Sequence, residues 1–242
     1  MRRISAELRG DQGWPWIRRN VPDERLRADL LAGDLTERGV FVRLIELYVA
    51  GRCGARARIA GEKTPEHLSD VPALDGWFPE ARFIHTFRDP RAIYASQLRR
   101  VREGRWGLKA RLDRLPAVLV DPLLAPVEAL RTTVDWLRAA RLHRRYRRQL
   151  GERYLLVRYE DLVTDPEREL RRVCDFLGVS FDPSMIAEID VVGSSFGTAR
   201  HEGVGFDEQR ATRWRQEVPA IGLGWFRLVA GRELRRFGYP PR

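Results

Sequence analysis

Cysteine is nearly missing from this chain: there are two in 242 residues, Cys53 and Cys174, far apart and outside any CxxC pattern. That excludes a disulfide framework and offers no zinc-ligand spacing, so no metal is expected and a reducing, cytoplasmic setting suits the chain. Long apolar runs are missing too. The first twenty residues, MRRISAELRGDQGWPWIRRN, carry basic groups without an apolar signal-type core, and no later run approaches membrane-spanning length. A membrane-spanning segment is therefore not expected. Internal repeats and low-complexity tracts are also lacking, which excludes solenoid and array architectures.

Charge of one sign is present in excess. Forty-four Lys+Arg against 34 Asp+Glu give a formal charge of +10, favouring acidic partners: phosphorylated cofactors, nucleic acid, acidic glycans or anionic membrane. Nearly all of the excess is arginine, and the cluster Arg138 to Arg148 (RAARLHRRYRR) reads as the solvated face of a long helix. Nucleic acid is favoured by charge alone. The chain lacks a helix-turn-helix, zinc or stacking-aromatic signature, so no nucleic-acid partner is expected. A nucleotide kinase is disfavoured by the lack of a Walker loop.

The length suits one large α/β domain, with residues 1–22 an irregular N-terminal segment and 23–242 the domain. Helices are expected from Pro22-Asp23 to Leu31, from Thr36 to Ala50, around Glu66 to Leu74, from beyond Pro122 to Gln149, after Asp165-Pro166, and from Pro219 to Arg236. Strands are expected near Arg58 to Ala60, at Phe83 to Phe87 and at Tyr154 to Tyr159, the last a continuous β-prone run. Alternating strands and helices imply a mostly parallel sheet.

The segment RFIHTFRDPRAIYASQLR, residues 82–99, carries the most chemistry. An apolar strand ends at Arg88, and Asp89-Pro90 then supplies an N-cap residue and a proline for the first helical turn. Anions collect where a strand's carboxyl end meets a helix N-terminus, because unpaired N–H groups and the dipole point there. Arg88 at that edge can grip a phosphate with two N–H groups, and Ser96, two turns on, can add a hydroxyl. The alternative for Arg88 is an ordinary ion pair, with Ser96 a plain helix residue.

Three segments in order, GEKTP at 61–65, FRDPRAIYAS at 87–96 and VRYEDLVTDPERELRRVCDFLGV at 157–179, resemble sulfotransferases that use 3′-phosphoadenosine 5′-phosphosulfate. SSFG at 194–197, RWR at 213–215 and FGY at 237–239 extend the resemblance to bacterial carbohydrate-type and tyrosylprotein-type members. It implies a P-loop-NTPase-like parallel sheet flanked by helices and transfer of a sulfuryl group to a hydroxyl or amine of a glycan, lipid or small metabolite. It also implies that Arg88 and Ser96 hold the donor's 3′-phosphate and that Tyr159 lies near the same nucleotide, against the alternative of a core-packed tyrosine. Ser194 or Ser195, with Arg213, would approach the donor's phosphates; between the two serines the residues do not choose, and a plain surface loop is the alternative.

Lys63 in EKTP would place fixed positive charge near the transferring oxygens, where the sulfuryl-transfer transition state gains from it. A salt bridge to a neighbouring acid is the competing role. His67 and His85 are assigned structural roles and no general base is named.

The chain departs from the family in one place. Members open with a strand, a phosphate loop resembling PxSGTT and a helix, and no such segment is found here. The nearest string, residues 49–56, follows a helical pattern and lacks paired hydroxyls. The expectation is a shortened chain without the central first strand, with an unfilled slot in the sheet, low stability and no transferase activity. The alternative function is a non-catalytic module that binds the 3′-phosphoadenosine end alone.

Overall fold

The computed structural model describes residues 21–52, 58–64, 67–102, 117–187, 206 and 209–240. They fall into two compact units that meet in sequence between Pro79 and Glu80.

The first unit is helical. Helix α1 (Asp23–Leu31) and helix α2 (Glu37–Arg52) bury Leu26, Val40 and Leu44 against one another, with Leu30, Leu47 and Tyr48 packed alongside. Asp34 starts α2: its carboxylate accepts from the Thr36 N–H (2.8 Å) and hydroxyl (2.7 Å), and the Thr36 hydroxyl in turn accepts from the Gly39 N–H at 3.1 Å. Those bonds to Thr36 hold the Asp34 carboxyl below its usual range. Helix α3 (His67–Trp77) follows, three residues longer at its C-terminal end than expected and with Pro72 inside it. The strand expected near Arg58 to Ala60 does not form; these residues are irregular and exposed. A three-residue β-prone run has no ladder of its own, and without a strand alongside to accept its hydrogen bonds it stays in water.

The second unit holds the sheet. Strand β1 (Phe83–Phe87) and strand β2 (Tyr154–Arg158) pair in parallel, with Phe83 opposite Tyr154 and Phe87 opposite Arg158. The slot expected in the sheet does not lie between them, because they are direct hydrogen-bonded neighbours. Helix α4 (Pro90–Arg102) follows β1, and helix α5 (Ala117–Leu150) returns the chain to β2. This helix begins before Pro122, earlier than expected. Pro122 and Pro126 each remove a donor, and Ala129, Trp136, Ala140 and Tyr146, all buried along α5, hold the helix together against that loss. Gly151, at φ +55°, ends it as expected.

Two helix ends are built alike. Helix α6 (Tyr159–Thr164) leads through Asp165, whose carboxylate caps the Arg168 N–H at 3.3 Å, into helix α7 (Pro166–Leu177). There Gly178, at φ +71°, lets its own N–H reach Asp175 O (3.1 Å) and the Val179 N–H reach Cys174 O (3.0 Å). This is the Schellman ending, which satisfies carbonyls the helix leaves open. After the one-turn helices α8 (Ser184–Ala187), α9 (Gln209–Thr212) and α10 (Trp214–Glu217), helix α11 (Ala220–Arg236) ends in the same way. Gly238, at φ +73°, bonds Arg235 O at 3.1 Å, and the Tyr239 N–H bonds Leu234 O at 2.8 Å. The core of this unit joins Phe87, Tyr94, Trp136, Phe226, Leu234, Phe237 and Tyr239. No helix among the described residues is long and apolar enough to cross a membrane.

Candidate functional site

The turn between β1 and α4 is fixed by groups from four other segments. Trp136 Nε1 on α5 donates to the Arg88 carbonyl at 2.9 Å. Asp89, 3% exposed, caps α4 as its sequence position implies, its Oδ1 accepting from the Arg91 N–H at 2.9 Å. The same carboxylate takes the Arg91 guanidinium in a two-pronged pair at 2.9 and 2.7 Å. Arg91 is itself 1% exposed, lies 4.0 Å over the Trp214 ring and donates to the Pro240 carbonyl at 2.8 Å. A buried ion pair of this kind survives only when its remaining donors are satisfied, as they are here.

Glu160 ties this turn to the RYEDL segment. Its Oε1 accepts from the Asp89 N–H and its Oε2 from the Tyr239 hydroxyl, each at 2.9 Å. Burial pushes the Glu160 carboxyl above its usual range, opposed by these hydrogen bonds. Since Tyr159 precedes Glu160 at the start of α6, fixing Glu160 fixes Tyr159 as well. The Arg88 guanidinium lies 4.2 Å over the Tyr159 ring. Arg88 and Tyr159 are thus brought together from β1 and α6, 71 residues apart in sequence. Tyr159 stands one residue beyond its strand, as the first residue of a helix.

Ser96 lies half-buried on α4, two turns from the Arg88 edge. Arg213 is half-buried beside Trp214, the residue under Arg91. Ser194 and Ser195 lie outside the described residues, as do Cys53 and residues 103–116. In the first unit Lys63 is exposed and, among the described residues, has no ion-pair partner. Its neighbour Glu62 is engaged elsewhere, accepting from the Thr64 hydroxyl at 2.6 Å and facing His67 Nδ1 at 2.5 Å. Lys63 follows irregular chain, not the strand expected before it. This carboxylate neighbour of His67 is not singled out by the sequence.

His85, expected to be structural, packs inside β1 against two partners. Its Nδ1 meets the Tyr154 hydroxyl at 2.6 Å, and His143 Nδ1 meets the same hydroxyl at 3.1 Å. Burial, with the neighbouring His143 adding to it, lowers His85 to about 4. Burial also raises the Tyr154 hydroxyl. Arg91, Trp136, Glu160, Trp214 and Tyr239, which position the site, are not singled out by the sequence, and Asp89 is singled out only as an N-cap; the signal lies in RDP, YED, RW and FGY, read only as resemblance.

Comparison with known proteins agrees with these motifs. A family described as "Sulfotransferase family" matches residues 23–183. The omega-hydroxy-beta-dihydromenaquinone-9 sulfotransferase Stf3 of Mycobacterium tuberculosis is 33% identical over 124 residues, 48% of this chain and 28% of that protein. Human carbohydrate sulfotransferase 6 is 30% identical over 192 residues, 72% of this chain and 44% of that protein. The chain therefore matches less than half the length of either relative. Among solved structures, the sulfotransferase domain of the Synechococcus PCC 7002 olefin synthase superimposes with a TM-score of 0.52 at 24% identity, covering 89% of this chain and 77% of that one. At that identity the likeness speaks for the fold, which is α/β of the P-loop-like kind with helices around a small parallel sheet.

Proposed function

Because the chain belongs to the sulfotransferase family, we propose that its reaction is sulfuryl transfer from 3′-phosphoadenosine 5′-phosphosulfate to a hydroxyl or amine acceptor, with the described residues supplying the 3′-phosphate half of the donor grip. The sulfation assay below decides between this reading and the expectation of an inactive chain. In that reaction the acceptor's oxygen or nitrogen bonds to sulfur as the bond from sulfur to the bridging phosphate oxygen breaks. Adenosine 3′,5′-bisphosphate leaves, and the acceptor's proton passes to a base. The relatives named for a menaquinone and for carbohydrate make a lipid or glycan hydroxyl the acceptor class to test first.

One observation carries the donor side of this reading: Arg88 stands at the carboxyl end of β1, at the N-terminus of α4, with its guanidinium face on the Tyr159 ring. Stacking on a ring fixes the plane of a guanidinium, and a fixed plane is what two-pronged phosphate recognition needs. Ser96 then contributes its hydroxyl to the 3′-phosphate, Arg213 and one of Ser194 and Ser195 approach the donor's phosphates, and Lys63 supplies cationic charge to the transferring group. No metal is assigned a part.

The test is a thermal shift with adenosine 3′,5′-bisphosphate followed by a sulfation assay with the full donor. Binding raises the melting temperature, by mass action on the folded state, in the wild type and not in Arg88→Ala. An equal shift in Arg88→Ala removes Arg88 from the site. Binding without sulfation of any lipid or glycan acceptor favours the second reading, a module that grips the nucleotide without catalysis.

A further inference from the structure

A basic concavity lies in the sheet-containing unit. It has a volume of about 470 Å³ and is lined by His143, Arg144 and Arg147 of α5, Leu156 and Arg158 of β2, and the turn Arg236 to Gly238. Four arginines from three separate segments line it. Their carboxylate partners are few: Glu233 is shared by Arg144 and, at 2.7 Å, Arg236, so one carboxylate serves two cations. Arg147, in the last turn of α5, has no carboxylate partner among the described residues. Its place there suits the helix dipole, which accounts for a cation but not for the three others facing it.

Arg158 is the built part of this site. Its Cζ lies 4.7 Å over the Tyr239 ring, and its Nη1 stands 3.5 Å from Asp161, with Glu160 also within electrostatic reach. Its Nε is buried with no hydrogen-bond acceptor among the described residues. A buried N–H without an acceptor is costly to a protein, and it marks this guanidinium as held in place by its surroundings rather than by a carboxylate alone. Gly238 permits the arrangement, since a Cβ there would stand 3.1 Å from Arg158 Nη1. Leu156 and Phe237 give the cavity an apolar floor.

We propose that this cavity is an oxyanion-binding site for a phosphate or sulfate monoester carried on a compact apolar or sugar body, with Arg147 and Arg158 as its principal donors. Neither Arg88 nor Tyr159 lines it, although Arg158 directly precedes Tyr159 in the chain, and it does not depend on the donor-nucleotide reading. A lone tetrahedral anion fills only part of the volume, so the ester's organic portion meets the Leu156 and Phe237 floor.

The experiment is calorimetric titration of the full chain in chloride buffer of constant ionic strength with three probes: inorganic phosphate, glucose 6-phosphate and glucose 6-sulfate. Binding of at least one ester is expected, weakened about tenfold or more in Arg147→Glu, the cost of a lost charged hydrogen bond. Arg147 is exposed, so this variant is expected to fold, and circular dichroism checks it. Arg158→Gln is the second variant and shows the same weakening. The two esters against inorganic phosphate distinguish a phosphate ester, a sulfate ester and a free phosphate as the natural source. Arg88→Ala leaves ester binding unchanged. The proposal is overturned by no binding to the wild type at millimolar concentration, by wild-type affinity in Arg147→Glu, or by loss of binding in Arg88→Ala alone.

Discussion

At the scale of single residues, the buried pair of Asp89 and Arg91 is the most consequential contact in the sheet-containing unit. Arg91→Met leaves the Asp89 carboxylate buried without its cation and is expected to cost about 3–5 kcal/mol, read from the denaturant midpoint. Tyr239→Phe removes one acceptor bond from Glu160 and is expected to cost about 1–2 kcal/mol, since the Asp89 N–H still holds the other oxygen. His85 makes stability depend on pH. Its folded value of about 4 lies below its ordinary 6.5, so the unfolded chain takes up the proton first and stability falls as pH drops from 6.5 towards 4. Between pH 7.5 and 5 the loss is on the order of 2 kcal/mol in urea unfolding, and His85→Gln is expected to flatten that slope. His143, also lowered by burial and by Arg147 and Arg144, acts in the same direction. None of these partners was legible in sequence: Asp89 and Glu160 are 71 positions apart, Tyr239 and Glu160 79, and Arg91 and Pro240 149.

Elements were more legible, because their signals are local. Asp89-Pro90 and Asp165-Pro166 mark helix starts where the structure has them, and Gly151 and Gly178 mark ends. At Gly178 a Cβ would meet only the end of the Arg82 side chain, at 3.7 Å, so Gly178→Ala is expected to cost the backbone term alone, about 1 kcal/mol. Gly238→Ala is expected to cost more, because its Cβ also crowds Arg158 at 3.1 Å. Paired thermal melts of the two variants measure the difference. The expectation that failed at this scale, a strand at Arg58 to Ala60, failed because a strand is half of a pairing. The β-prone pattern was present, but its partner is supplied by tertiary structure. Likewise α5 runs through Pro122 and Pro126 because the packing of Trp136 and Tyr146 outweighs two local breakers.

For the molecule as a whole, the formal charge of +10 and the arginines on the outer face of α5 predict retention on immobilised heparin that weakens steeply with salt. Salt elution of the wild type against Arg147→Glu with Arg148→Glu checks whether that face carries the effect. The sequence by itself determined the chain's basic character, the helix starts at Asp-Pro and the ends at Gly151 and Gly178, and the family, through motifs short enough to be read without a fold. Tertiary structure alone decided that Arg88 lies on Tyr159, that Glu160 joins the RDP turn to the C-terminal FGY segment, and that four arginines face one cavity. The physical reason is range: capping, turn and periodicity energies act within a few residues, whereas ion pairs, ring contacts and strand pairing depend on which distant segments the core brings together.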